Sequence, residues 1–384
     1  MKGKAAIVGI GETNYEKDSG KNILQLASVA TKYALADANL SIRDLDGIIT
    51  LSPLSTSARL NNVLASYLDM KPAYSAEVAV YGASGGMALK QAAEAIVSKA
   101  ARRILVIGSD KNFLKVQSNE PQILGSAYQQ KFISAEATPS YAMAAHLHQH
   151  LYQSTNEQRA KIAVDQRYNA NHFDKALFKE KKLNLDDVLA SPVIAEPIHM
   201  LEIVYPCDGA VAFIVTSTED AKSITDTPVM IEGAGFYNSH FLFTESEMFT
   251  NGLVTGVKKA ADIAYEMAGI GPRQIQICGL YDCYTIAVML MLEDLGFCEK
   301  GQGGRFVEEH DLTFKGDFPV NTSGGQLSAG QPGDAGGMVN IVEVVRQLKG
   351  EAGIRQVADV EYGITTSNGG YFSNECVLIL RGDR

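Results

Sequence analysis

Ala76-Glu77-Val78-Ala79-Val80-Tyr81-Gly82-Ala83-Ser84-Gly85-Gly86 passes from a β-rich segment straight into the alanine-rich run Met87 to Ala100, which has helical spacing. Small residues at such a junction let the backbone turn sharply. They also bring a substrate close to a helix N-terminus, where unpaired N–H groups and the dipole favour an oxyanion or phosphate. An elbow of this kind commonly offers a nucleophile at its tip. Here the tip is Gly82, so the chemistry has to come from elsewhere.

Around the elbow, the spacing predicts strands at Ala5 to Gly11, Ile48 to Thr50 and Arg103 to Ser109, and a helix at Leu24 to Ala38, giving a β–α–β–β–α–β unit. The second half repeats this pattern. Pro228 to Gly235 mirrors the opening strand and Leu253 to Ala268 the first helix. Gln276 to Tyr281 then reads as a strand and Asp282 to Leu295 as a helix. Gly336 to Leu348 is the counterpart of the elbow helix, and Val360 to Thr366 and Cys376 to Leu380 are closing strands. A duplication at roughly 225 residues is too long for a solenoid. It predicts two α/β halves, 1–225 and 226–384, whose helix N-termini face one another across a shared site. Residues 111–206 do not match the repeat and read as an inserted cover, with helices at Pro139 to Ser154 and Asn156 to Asn171.

The chain has 384 residues, 46% of them apolar, and a net charge of −10 without a Lys/Arg block, which argues against nucleic acid. No apolar run approaches the ~20 residues of a membrane span. Met1 to Val8 enters a strand directly, with no signal-peptide pattern. Five cysteines without a C-x-x-C pair fit a reducing cytoplasm better than a disulfide or zinc framework. His146, His148 and His150 alternate on a predicted helix. Only His146 and His150 share a face, with no third ligand, so a solvated or cover-lining role is favoured and no metal site is expected. Gly82 to Gly86 also spells G-x-S-x-G with Ser84 as the serine, but no H-G-G-G motif accompanies it, and a packing role for Ser84 is favoured. Gly9 to Asn14 is a broken G-x-G-x-x-G, read as a strand exit.

Several spaced motifs together resemble the thiolase superfamily. Cys207-Asp208-Gly209-Ala210-Val211-Ala212 is similar to its D-G-A-A strand entry, and Tyr281-Asp282-Cys283-Tyr284 to the H-D-C-F of sterol-carrier-type thiolases. Asn321-Thr322-Ser323-Gly324-Gly325 and Gly330-Gln331-Pro332-Gly333-Asp334-Ala335-Gly336 resemble N-x-x-G-G and G-H-P-x-G-A-x-G. The resemblance implies a duplicated α/β/α/β/α five-layer fold, a homodimer and a coenzyme A thioester as substrate, with no bound cofactor. Gly82 stands at the family's nucleophilic cysteine and Gln331 at its G-H-P histidine. The second cysteine falls at about Thr366 or Ser367, beside Asn368-Gly369-Gly370.

Ordinary thiolysis is therefore not expected, because no acyl-enzyme can form at Gly82. A carbon–carbon bond beside a thioester can still be cut by retro-aldol chemistry when the β-carbon bears a hydroxyl. The cysteine-less thiolase-like aldolases of steroid side-chain breakdown are similar in the Tyr81-Gly82 elbow and in Tyr281. They carry a second tyrosine near Gln331 and work with a small zinc-ribbon/OB-fold partner. The expectation is thus a β-hydroxyacyl-CoA lyase of lipid or steroid side-chain or aromatic acid degradation, with Tyr281, Asp282 and Gln331 in the chemistry and Gly82, Ser84, Asn321, Asn368 and Gly369 lining the substrate or oxyanion site. The alternatives are a catalytically silent acyl-CoA-binding subunit and an atypical acyltransferase. Tyr281 could also be a buried aromatic, Asp282 a helix cap and Cys283 a structural thiol.

Overall fold

A strand with both faces covered needs an unbroken apolar run, and Ala5 to Glu12 is buried along its whole length as β1. In this computed structural model, residues 1–56, 59–112, 137–239 and 247–383 are described. The first half continues with α1 (Ile23–Asp37), β2 (Gly47–Leu51), α2 (Leu60–Tyr67), β3 (Tyr74–Val78), α3 (Ser84–Val97) and β4 (Arg103–Asp110). The cover contributes α4 (Ala137–Tyr152) and α5 (Asn156–Ala170), and β5 (Gly209–Ser217) closes the half. The second half is β6 (Val229–Asn238), α6 (Gly256–Ala268), β7 (Ile277–Gly279), α7 (Thr285–Asp294), α8 (Gly336–Lys349), β8 (Tyr362–Gly369) and β9 (Asn374–Gly382).

Hydrogen bonding joins the strands in the order β3-β2-β4-β5-β1-β6-β9-β8-β7. The repeat is visible in the pairing. β2 is parallel to β3 and β4, and β4 is antiparallel to β5. Likewise β7 is parallel to β8, and β8 is antiparallel to β9. Even β3 has a remnant counterpart, an isolated parallel bridge from Val320 to Cys278. The halves join edge to edge through only Ala6↔Met230 and Ile7↔Val229. Helices α3 and α8 pack against each other and against strands of both halves, α1 and α2 lie outside the first half, and α6 lies outside the second. The layering is α/β/α/β/α. A buried ionic chain reinforces it: Glu12 of β1 pairs with Arg346 of α8, whose neighbour Glu343 pairs with Arg346 and Arg355.

Three details differ from the sequence expectation. Helix α2 stands between β2 and β3, making β–α–β–α–β–α–β; only Leu60, Leu64 and Ala65 of its eight residues are buried, too short a period to register. Residues 282–284 lie outside α7, because Tyr284 has extended backbone (φ −142, ψ 151) and Thr285 opens the helix. Helix α6 begins at Gly256, where the Thr255 side chain caps it and accepts from the Val257 N–H at 3.2 Å. No helix among the described residues is long and apolar enough to cross a membrane.

The central layer rests on glycine-to-backbone contact. A Cβ on Gly337 would lie 2.1 Å from the Gly82 carbonyl oxygen, and one on Gly85 would lie 2.8 Å from the Gly337 carbonyl carbon. We therefore expect Gly337→Ala to destabilise the fold by about 1–3 kcal/mol, the usual cost of overpacking, measured as a lower denaturant midpoint. An unchanged midpoint would show that the layer has slack.

Candidate active site

The elbow follows from its residues. Tyr81 takes a left-handed φ of +53°, rare for a side-chain-bearing residue, and turns the chain between β3 and α3. Ser84 is fully buried, and its hydroxyl accepts from the Val80 N–H at 2.9 Å, closing the turn from within. Gly369 presses on the same turn, where a Cβ would lie 2.1 Å from the Val80 carbonyl oxygen. These two residues shape the elbow.

Gly82 is different. A Cβ on it would lie 2.1 Å from the Tyr281 hydroxyl and 2.3 Å from the Asn368 carbonyl oxygen. The phenol hydroxyl thus occupies the space into which any side chain at position 82 would start. Tyr281 follows β7, and its backbone N–H donates to Thr366 Oγ1 at 2.8 Å. The neighbouring Ser367 hydroxyl donates to the Gly337 carbonyl at 3.3 Å. Both hydroxyls near the expected second-cysteine position therefore hold backbone in place. The Gln331 side chain hydrogen-bonds the Tyr281 phenol in the sense that favours its oxygen as acceptor. Burial, then Cys283 and Asp334, push that phenol well above its usual range, and the Gln331 bond offsets only part of this. Tyr281 is neutral at physiological pH.

The other expected site residues have their polar atoms engaged. Asp282 accepts from the Gln326 and Leu327 N–H groups at 2.9 and 3.0 Å and from Asn340 Nδ2 at 2.8 Å. It caps the short helix Gly325–Ser328 and ties it to α8; burial lifts its carboxyl to about 6. Asn321 accepts from the Leu280 N–H at 2.8 Å and donates to the Leu280 carbonyl at 2.9 Å, fixing the approach to Tyr281. Asn368 Nδ2 donates to the Tyr141 hydroxyl at 2.9 Å, and its Oδ1 accepts from the Phe372 N–H at 3.0 Å. Gln331 stands on a locked backbone, with its carbonyl accepting from Cys207 N–H at 3.0 Å and Gly333 N–H at 3.1 Å.

Two groups at the site were not singled out in the sequence. Tyr141 of the cover helix α4 stacks on Tyr284 at 4.3 Å, lies 5.4 Å from the Phe372 ring, and hydrogen-bonds Cys283. Its only sequence signal is an aromatic residue in a helix called a cover. Asp334 is 6% exposed and acts electrostatically on both Tyr81 and Tyr281. Its signal is a carboxylate inside a glycine-rich loop. In the cover, it is His148 that is buried, bonded to Ser154 Oγ at 2.7 Å and Glu293 Oε1 at 2.8 Å. His146 and His150 line an open apolar groove with Met143, Leu147 and Phe249. Residues 113–136 of the expected cover lie outside the described residues.

Comparison with known proteins bears on this geometry. Residues 235–382 match the family described as thiolase C-terminal domain-like. The chain is 32% identical to an acetyl-CoA acetyltransferase of Methanothermobacter thermautotrophicus, over 95% of this chain and 96% of that one. It is equally, at 32%, identical to the 17-hydroxy-3-oxo-4-pregnene-20-carboxyl-CoA lyase of Mycobacterium tuberculosis, over 98% of this chain and 100% of the relative. Among solved structures, an Ltp2-ChsH2(DUF35) aldolase superposes with a TM-score of 0.90 at 29% identity, covering 100% of this chain and 99% of that one.

The shared space at Gly82 makes a checkable statement. Gly82→Cys should displace the Tyr281 ring and lower stability by about 1–3 kcal/mol, whereas Gly82→Cys with Tyr281→Ala should regain most of the loss. Chemical denaturation of both variants measures it, and equal stability of the two would mean that the phenol is not held at that point.

Proposed function

Because the chain belongs to the thiolase superfamily and fills the nucleophile position with a phenol hydroxyl, we propose that it is a carbon–carbon lyase cleaving a β-hydroxyacyl-CoA by retro-aldol chemistry, with the lipid or steroid side chains of its lyase relative as the substrate class. Overall identity does not separate acyltransferase from lyase, since both kinds of relative stand at 32%. The single observation that carries the choice is the Tyr281 hydroxyl lying 2.1 Å from where a Cβ at residue 82 would be. A thiol cannot be placed there without moving it.

In the proposed reaction the substrate's β-hydroxyl lies against Tyr281. With the Gln331 amide hydrogen-bonded to the phenol oxygen, the phenol's own hydrogen is directed at the substrate oxygen and orients it. Loss of the hydroxyl proton lets the Cα–Cβ bond break, leaving a ketone or aldehyde and the enolate of a shorter acyl-CoA. Protonation at Cα completes the reaction, so no covalent enzyme intermediate forms and no second substrate is consumed. The facing N-terminal turns of α3 and α8 support the enolate charge. Asn321, Asn368 and Asp282 act by holding the backbone beneath Tyr281, and Ser84 and Gly369 by shaping the elbow.

A partner of the DUF35 type, a zinc-ribbon/OB-fold protein that supplies acyl-CoA-binding surface, is part of the proposal, as are a homodimer and a cytoplasmic setting. The solved neighbour, which pairs Ltp2 with a ChsH2 DUF35 protein, supports the first of these.

Tyr281→Phe should lower kcat on a β-hydroxyacyl-CoA by about 10²–10⁴-fold while leaving CoA affinity within about twofold. Product analysis with and without a DUF35-type partner tests this, and β-ketoacyl-CoA plus CoA should give no thiolysis. Thiolysis by the wild type, or a fully active phenylalanine variant, would overturn the reading.

A further inference from the structure

A neutral Tyr281 orients the β-hydroxyl but leaves its proton without an acceptor, and the loop that carries Gln331 holds a carboxylate three residues further on. That loop is wedged between the end of β4 and the elbow. A Cβ on Gly333 would lie 1.9 Å from Asp110 Oδ2, and one on Gly337 2.1 Å from the Gly82 carbonyl. Asp334 sits on this held loop, near enough to Asp110, Tyr81 and Tyr281 for their charges to act on one another. It is buried, yet no hydrogen-bond donor reaches its carboxylate among the described residues. A capping role is not seen either, since no side chain caps α8.

We infer that Asp334 is the general base of the cleavage, taking the β-hydroxyl proton while Tyr281 donates a hydrogen bond to the same oxygen. This rests on the lyase reading. The Asp334 carboxylate gains the proton, the Cα–Cβ electron pair moves onto Cα, and the carbonyl forms. The same proton then passes from the Asp334 carboxyl to Cα, so enzyme and charge are restored without a co-reactant.

The two carboxyls of the pair differ in their surroundings. Asp110 accepts from the Leu54 N–H at 2.7 Å, the Ser55 N–H at 3.2 Å, the Lys111 N–H at 2.8 Å and the Ser55 hydroxyl. Those donors favour its ionised form. Asp334 has no such support, and burial followed by the Asp110 charge lifts it to about 8. The ionisable groups facing it are Asp110, Tyr81 and Tyr281. Burial raises the Asp110 carboxyl as well, but its donors work against that rise, so it is the donor-poor Asp334 that holds its proton towards neutral pH. The active form is the carboxylate, so the rate rises with pH through about 8 and then levels.

The test is kcat and KM for β-hydroxyacyl-CoA cleavage from about pH 6 to 9.5 on the full complex. Asp334→Asn should lower kcat by about 10²-fold or more with KM within about threefold, and should abolish the rising limb. Asp334→Glu should recover part of kcat and keep the limb, and Asp110→Asn should move the limb down by roughly one unit. Infrared titration of the unmodified protein gives a second readout, a carboxyl band lost near pH 8. Full kcat with an unchanged limb in Asp334→Asn, or no carboxyl titrating in that range, overturns the base role alone. A wild type that cleaves no β-hydroxyacyl-CoA overturns the lyase reading and the base role together.

Discussion

One small volume governs this protein: the space above the Gly82 Cα, which a side chain and the Tyr281 hydroxyl cannot share. Much of the surrounding architecture serves to hold the phenol in that space. Thr366 fixes the tyrosine's backbone, Asn321 holds the preceding residue from both sides, and Asp282 straps the following turn to α8. The left-handed Tyr81 and the buried Ser84 hydroxyl fix the opposite wall. Interior packing density makes such an arrangement stiff, so a side chain added at residue 82 must displace the phenol rather than share its space.

The scaffold was legible because it repeats. Apolar strands bounded by glycines recur in the same order in both halves, and glycine runs mark both central helix starts, so the two-sided central layer could be inferred from pattern alone. What the pattern could not convey is direction. Asp282, Asn321 and Asn368 are residue types that line active sites, but their side chains are committed to backbone groups and to Tyr141. Asp334 and Tyr141 were passed over for the converse reason. Their importance comes from the elements that meet them in space, Asp110 across the sheet end and Tyr284 beneath the cover, and neither is near in sequence.

The same distinction explains why relatives with different reactions are equally similar to this chain. Identity averaged over the chain is dominated by the layers, whose requirements are volume and periodicity. In the reading proposed above, the reaction rests on a few positions: a glycine at the elbow, a tyrosine after β7, and the amide and carboxylate of one loop.

The two halves touch edge to edge through two residue pairs but clasp one another through α3 and α8. Neither inner helix could keep its apolar face dry without the other, so the two halves are bound to fold as one cooperative unit. The centre they enclose is nevertheless lopsided: a bare glycine leads into one helix, while the loop before the other bears an amide and an acid. A symmetric shell thus holds an asymmetric interior, and a ligand between the two helix starts meets a different surface on each side.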